Sequence, residues 1–169
     1  MIEPSEHAEK RSAVEELLRK LPGFRGYLEK EYRRQSDDLQ RQWLAGRLER
    51  SKRAIQRVTQ SLADAGCIDI LPQVDLFRGR VDHLIARIRG AMEGYSGFFD
   101  LVQVDEALLE DVYQHDLALM DQVEALAQAI EKLPEDAEAI AGALPGLRGQ
   151  VAELEREWDV RADMLQGLQ

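Results

Sequence analysis

The sequence predicts an all-α fold, an elongated antiparallel helical bundle built on one long central helix with coiled-coil-like packing. Three observations carry that prediction. Apolar residues recur at steps of three and four through most of the chain, the spacing that gathers them on one helical face. Leu, Ala, Glu, Arg and Gln outnumber the β-branched residues, and those side chains lose little freedom in a helix. No stretch sustains the period-two alternation of a strand, and Val102 with Val104 comes closest.

Taken in order, Ser12-Ala13-Val14-Glu15 has the spacing of a capping box, in which serine and glutamate satisfy exposed backbone N–H groups reciprocally. It predicts a short first helix, about 5–20 or 12–20, stopped by Pro22-Gly23. No proline interrupts Arg25 to Ala65, where Leu28, Tyr32, Leu39, Trp43, Leu44, Leu48, Ile55, Val58 and Leu62 recur at helical spacing. The prediction is one helix over 25–65, roughly 60 Å long at 1.5 Å per residue. The alternative is two helices meeting near Gln35-Ser36-Asp37-Asp38, where serine could cap and the aspartates suit a helix start.

Ala65-Gly66-Cys67 closes the long helix, glycine being the usual left-handed terminator. Pro72 opens a helix over 72–91 carrying Val74, Phe77, Val81, Leu84, Ile85 and Ile88. A fourth helix is expected over 105–133, through Leu109, Val112, Leu119, Val123, Leu126 and Ile130. A brief helix at 136–143 is expected to stop near Pro145-Gly146, before a last helix over 147–167 with Leu147, Val151, Leu154, Trp158 and Leu165 on one stripe. All connections but 93–104 are short, so consecutive helices should be antiparallel neighbours in a single domain over 1–169.

Composition excludes several classes. One cysteine, Cys67, allows no intrachain disulfide. The N-terminal residues lack the basic start and apolar stretch of a signal peptide. No apolar run approaches the length needed to span a bilayer. A soluble cytoplasmic protein is the expectation. The net charge of −10 is unevenly spread: residues 1–100 balance at +2 and residues 101–169 at −12.

Chemistry is harder to find. A ferritin-like metal site needs Glu-x-x-His on two helices, but Arg80 and Val112 stand three residues before His83 and His115. Asp111 and His115 are four apart, a spacing that serves a surface hydrogen bond as well as a ligand pair. Cys67 has no cationic or histidine partner nearby in sequence to activate it. Gly90, Gly94 and Gly97 lack the strand and lysine-serine pair of a phosphate loop. No catalytic residue, cofactor or metal is therefore assigned. Asp116 is an oddity, because the stripe of the fourth helix puts it at a core position. A buried aspartate needs an arginine or tyrosine partner. The plainer expectation is a slight rotation that brings Tyr113, Leu117 and Met120 inward instead.

Two surface features remain. The segment 41–57 carries Arg41, Arg47, Arg50, Lys52, Arg53 and Arg57 against Glu49 alone, with Arg50, Arg53 and Arg57 sharing a face. These three are the candidate anion-facing residues. Complementarity with the acidic helices after residue 101 is the favoured reading, and binding of an anionic membrane surface or nucleic acid is the alternative. The second feature is the loop Gly94-Tyr95-Ser96-Gly97-Phe98-Phe99-Asp100. Tyr95, Phe98 and Phe99 either plug an open end of the bundle or present an adhesive tip to a partner. This loop, continued through Leu101-Val102-Gln103-Val104-Asp105-Glu106, resembles one in uncharacterised all-helical bacterial proteins. That resemblance implies an all-α fold and a bacterial origin.

The function expected from these features is a non-catalytic scaffold or adaptor with a protein partner, self-associating as a homo-oligomer. The alternative is an electrostatic binder acting through residues 41–57 on a membrane surface, without crossing it, or on nucleic acid, which the charge of −10 disfavours.

Overall fold

A computed structural model of the chain describes residues 13–90 and 106–165, with the backbone alone at Lys30 and Glu106. Tyr95, Phe98 and Phe99 lie outside the described residues, as does Ser12 of the expected capping box. The described chain is helical throughout apart from its connections, and no strand occurs among the described residues. Residues 13–20 form α1. They are followed by α2 at Lys30–Asp64, a 3-10 turn at Ile68–Ile70, α3 at Leu71–Gly90, α4 at Glu106–Glu131 and α5 at Ala137–Leu165.

α2 starts five residues later than the spacing predicts. Gly26 stands at φ 77° and Glu29 is extended, so the chain from Arg25 to Glu29 runs across the bundle before the helix begins. From Lys30 the helix continues unbroken for 35 residues, about 52 Å. It does not divide at Gln35–Asp38, because Ser36 and Asp37 point inward and bond to other elements instead of capping a new start. At the far end Gly66 takes φ 75°, and the Cys67 N–H reaches back to the Leu62 carbonyl at 2.9 Å. That bond satisfies a carbonyl the helix leaves open.

The last two expected helices are one. α5 passes through Pro145 and Gly146 without a stop. Its buried residues Ile140, Leu144, Leu147, Val151, Leu154, Trp158, Arg161 and Leu165 follow alternating steps of four and three. A proline inside a helix costs about 3 kcal/mol, and burying one Leu returns about 1.5–3 kcal/mol. Several buried side chains on each side of Pro145 therefore outweigh the break. Asp136 starts the helix by accepting the Ala139 N–H at 2.9 Å.

The same heptad spacing runs through the other helices. It reads Asp37, Arg41, Leu44, Leu48, Ser51, Ile55, Val58, Leu62 in α2, all buried. It reads Val74, Phe77, Val81, Leu84, Ile88 in α3 and Leu109, Val112, Asp116, Leu119, Val123, Leu126, Ile130 in α4. Four such stripes can close only on one another. α2 packs on α3 and α4, and α5 packs on the same two. α2–α3 and α4–α5 are antiparallel hairpins. Cross-links at Gln40–Asp116, Arg47–Glu124 and Ser61–Glu135 show α2 running alongside α4 in the same direction. α3 and α5 do likewise through Arg80–Glu155 and Arg87–Asp159. Among the described residues, no helix is long and apolar enough to cross a membrane.

Gly46 sits in mid-α2, and a β-carbon added there would meet Arg50 Nη1 at 3.5 Å, an ordinary contact. Because α2 is continuous there, Gly46→Ala should raise the unfolding free energy in urea by about 0.5–1 kcal/mol. A loss of stability would mean that the helix bends or opens at that point.

Candidate functional site

At the end of the bundle where α2 and α4 begin, the heptad stripes change from apolar to charged. Asp37, Arg41, Asp116 and Arg161 each take a position that the spacing reserves for a core residue, and each is buried. Asp37, Asp116 and Arg161 have no solvent exposure at all. The expected rotation of Asp116 away from the core does not occur. Tyr113 and Met120 are buried as well, so the helix buries the aspartate together with its neighbours.

The burial is possible because opposite charges arrive from different helices. Arg161 donates from Nε to Asp116 Oδ1 at 2.6 Å and from Nη2 to Asp37 Oδ1 at 2.8 Å. Its guanidinium also lies 5.1 Å from the centre of the Trp158 ring, one turn earlier in α5. Asp37 Oδ2 accepts Arg41 Nε at 2.8 Å, and Arg41 Nη1 donates to the Arg89 carbonyl near the end of α3 at 2.8 Å. Gln40 of α2 donates to the Asp116 carbonyl at 3.0 Å. Two aspartates and two arginines thus form a charge-neutral layer touching all four long helices. Two buried atoms beside Asp116, Gln40 Oε1 and Arg161 Nη1, have no hydrogen-bond partner among the described residues.

The segment entering α2 completes the layer. Tyr27 donates its hydroxyl proton to Asp116 Oδ2 at 2.5 Å, and Arg161 Nη2 approaches the same hydroxyl at 3.2 Å. The Tyr27 ring stacks on Tyr113 with centroids 5.4 Å apart, while Phe24 meets both rings edge-on. The Tyr113 hydroxyl accepts the Tyr27 backbone N–H at 2.7 Å. Arg33 ties down the Tyr27 and Leu28 carbonyls at 2.6 and 3.1 Å. Gly26 is required here: a β-carbon would lie 2.5 Å from the Tyr113 hydroxyl, and its φ of 77° is one that only glycine adopts freely. Burial, reinforced by the Asp116 charge, pushes the Tyr27 phenol well above its ordinary value. It therefore stays protonated and donating at neutral pH. Burial works against the Arg161 cation, but Asp116 and Asp37 outweigh it and hold the guanidinium firmly charged.

The candidate anion-facing arginines divide. Arg57 is exposed and has Glu135 at 3.7 Å. Arg50 and Arg53 are exposed and form no ion pair among the described residues. The remaining basic residues of 41–57 are spent inside the molecule. Arg47 clamps Glu124 and Glu131 of α4 at 2.8 and 2.6 Å, and Lys52 joins Asp82 of α3 at 2.6 Å. Arg47 matches the expected complementarity with the acidic helices, whereas Arg41 and Lys52 pair elsewhere. His115 donates from Nε2 to the Glu157 carbonyl of α5 at 2.8 Å.

Compared with known protein families, curated proteins and solved structures, the chain matches none of them. Its functional reading therefore rests on the residues themselves.

Of this layer, sequence reasoning found only Asp116. Arg161 left a signal in the step from Trp158 to Leu165, which skips the heptad position between them. Asp37 and Arg41 were equally in register with Leu44 and Leu48, but read as a helix start and as part of a basic segment. Tyr113 is buried as its place on the helix predicts, whereas Tyr27 leaves no local signal, since its partner is fixed only by the fold.

Arg161→Met would strand Asp116 and Asp37 without their cation, and should lower the unfolding free energy by about 3–5 kcal/mol in chemical denaturation. A loss below 1 kcal/mol, as for an exposed pair, would contradict the burial described. The Tyr27 shift also sets a pH dependence. Its folded pKa exceeds the unfolded value of 10.0, so its contribution is complete below that pH and is lost as pH rises through the folded value. Stability against urea should fall above about pH 10, and Tyr27→Phe should make that fall shallower. An unchanged alkaline slope would place the phenol outside the layer.

Proposed function

We propose that this protein is a non-catalytic helical scaffold or adaptor that presents helix surfaces to a protein partner and self-associates. The observation that supports the reading best is the state of the buried charged layer. Helical bundles that do chemistry commonly place opposing carboxylates in the core to hold a metal or a reacting group. Here Asp37 and Asp116 face each other across the core with the Arg161 guanidinium between them. Their charge is spent on holding helices together.

Exposed apolar side chains support the partner-binding part. Ile68 and Leu76, near the turn between α2 and α3, are 65% and 71% exposed. Leu28 is exposed at the entry to α2. Burying such residues against another chain gains about 25 cal/mol per Å² of apolar surface. A reducing compartment such as the cytoplasm suits the free, half-buried Cys67.

The alternative, electrostatic binding through 41–57, keeps a narrower basis than an extended basic stripe. Arg41, Arg47 and Lys52 are engaged internally, which leaves Arg50 and Arg53 as its core.

Light scattering coupled to gel filtration tests the main reading. The expected mass at micromolar concentration is a dimer or larger, shifting toward monomer in an Ile68→Asp, Leu76→Asp variant. A monomer that persists as concentration rises would overturn self-association.

A further inference from the structure

Arg50 and Arg53, exposed and without an ion pair among the described residues, do not lie on a flat helix face. They line a concavity of about 480 Å³ between α2 and α3, together with Glu49, Lys52, Gln56, Arg78 and Asp82. The lining carries four cations and two carboxylates, a balance of +2 in a chain whose net charge is −10. The two carboxylates are already engaged. Glu49 accepts Lys52 at 2.9 Å and Arg89 at 3.5 Å. Asp82 accepts Lys52 at 2.6 Å and stands 4.0 Å from Arg78. Lys52 therefore pins both acids, while Arg50 and Arg53 line the cavity without an ion pair among the described residues, Arg50 also lying in the field of Glu124 and Glu131 of α4.

We propose that this groove binds the phosphate groups of a compact oligophosphate ligand. Arg50 and Arg53 lie one turn apart on α2, and Arg78 faces them from α3. A carboxylate presents two oxygens in one plane, which a single guanidinium fork can match. A phosphate offers three oxygens in a tetrahedral array and can take guanidinium groups from several directions at once. Donors arriving from two walls fit the second geometry. The volume exceeds what one phosphate fills and suits two or three in a row.

Charge selects for compactness. Beyond about 8–10 Å a charge is screened at physiological salt, so a small anion in the groove senses the local positive balance. A long polyanion would extend past the groove onto a surface where acidic residues predominate. Nucleic acid and anionic bilayers are disfavoured for the same reason. This inference is independent of self-association, since the groove is formed within one chain.

Isothermal titration calorimetry of the full chain with sodium triphosphate, at matched ionic strength, tests it. The expected result is saturable one-to-one binding, weakened at least about tenfold in Arg50→Glu, Arg53→Glu and retained in Arg57→Gln. Far-UV circular dichroism should be the same for all three proteins, because the substituted residues are exposed. No heat above a sodium chloride blank would overturn the proposal. So would equal binding by the charge-reversed variant, which would put the anion elsewhere. Preferential binding of a glutamate-rich peptide, or of phosphatidylserine vesicles without a response to triphosphate, would assign the groove to a protein or membrane partner instead.

Discussion

The guanidinium of Arg161 between the carboxylates of Asp116 and Asp37 is the contact on which the rest of this architecture depends. Four heptad stripes can bury their leucines against one another, but apolar stripes alone are tolerant of sliding. A shift of one helix by a heptad still sets leucine against leucine. It would also set Arg161 or Asp116 against apolar side chains, and an unpaired buried charge costs several kcal/mol. The charged layer therefore makes one alignment of α2, α4 and α5 much better than its neighbours. Arg41 extends the constraint to α3 through the Arg89 carbonyl, and Tyr27 extends it to the segment that enters α2.

The layer is expensive in isolation, because two aspartates and two arginines lose their water. What offsets that cost is the engagement of both carboxylates. Asp116 receives Arg161 and Tyr27 on its carboxylate and Gln40 on its carbonyl, while Asp37 receives two arginines. The aromatic group of Phe24, Tyr27 and Tyr113 surrounds these bonds with apolar surface, where charge-assisted hydrogen bonds are strong. Further along the bundle the same division of labour appears at lower cost. Arg47 bridges two glutamates of α4 at the surface, holding α2 and α4 together while Leu48, Ile55 and Val58 fill the core behind it. With Arg41 and Arg47 spent in this way, Arg50 and Arg53 are the arginines of the basic segment that stay exposed without an ion pair among the described residues.

Much of the fold was legible because it rests on local periodicity. The stripes through Val74–Ile88 and Leu109–Ile130 predict α3 and α4 closely, and Gly66 ends α2 as its residue type implies. The errors fall where tertiary packing overrides a local signal. Gly26 delays α2 because Tyr113 needs the space beside it, and Tyr113 is distant in sequence. Pro145-Gly146 reads as a stop, yet α5 continues because its buried stripe is intact on both sides. The charged layer was only partly legible for a related reason. Reading a stripe by its apolar members passes over Asp37, Arg41 and Arg161, whose positions matter as much as their polarity. A complete heptad count, with opposite charges noted at the breaks, would have paired them.

The most direct test of the layer is hydrogen exchange at the arginine side chains, followed by NMR at Nε–H. The Arg161 Nε–H is buried and bonded to Asp116, so it should exchange orders of magnitude more slowly than those of Arg50 and Arg53 and approach the rate of global unfolding. Exchange of Arg161 at the rate of the exposed arginines would show that the layer opens to solvent, and would remove it as the constraint that aligns the helices.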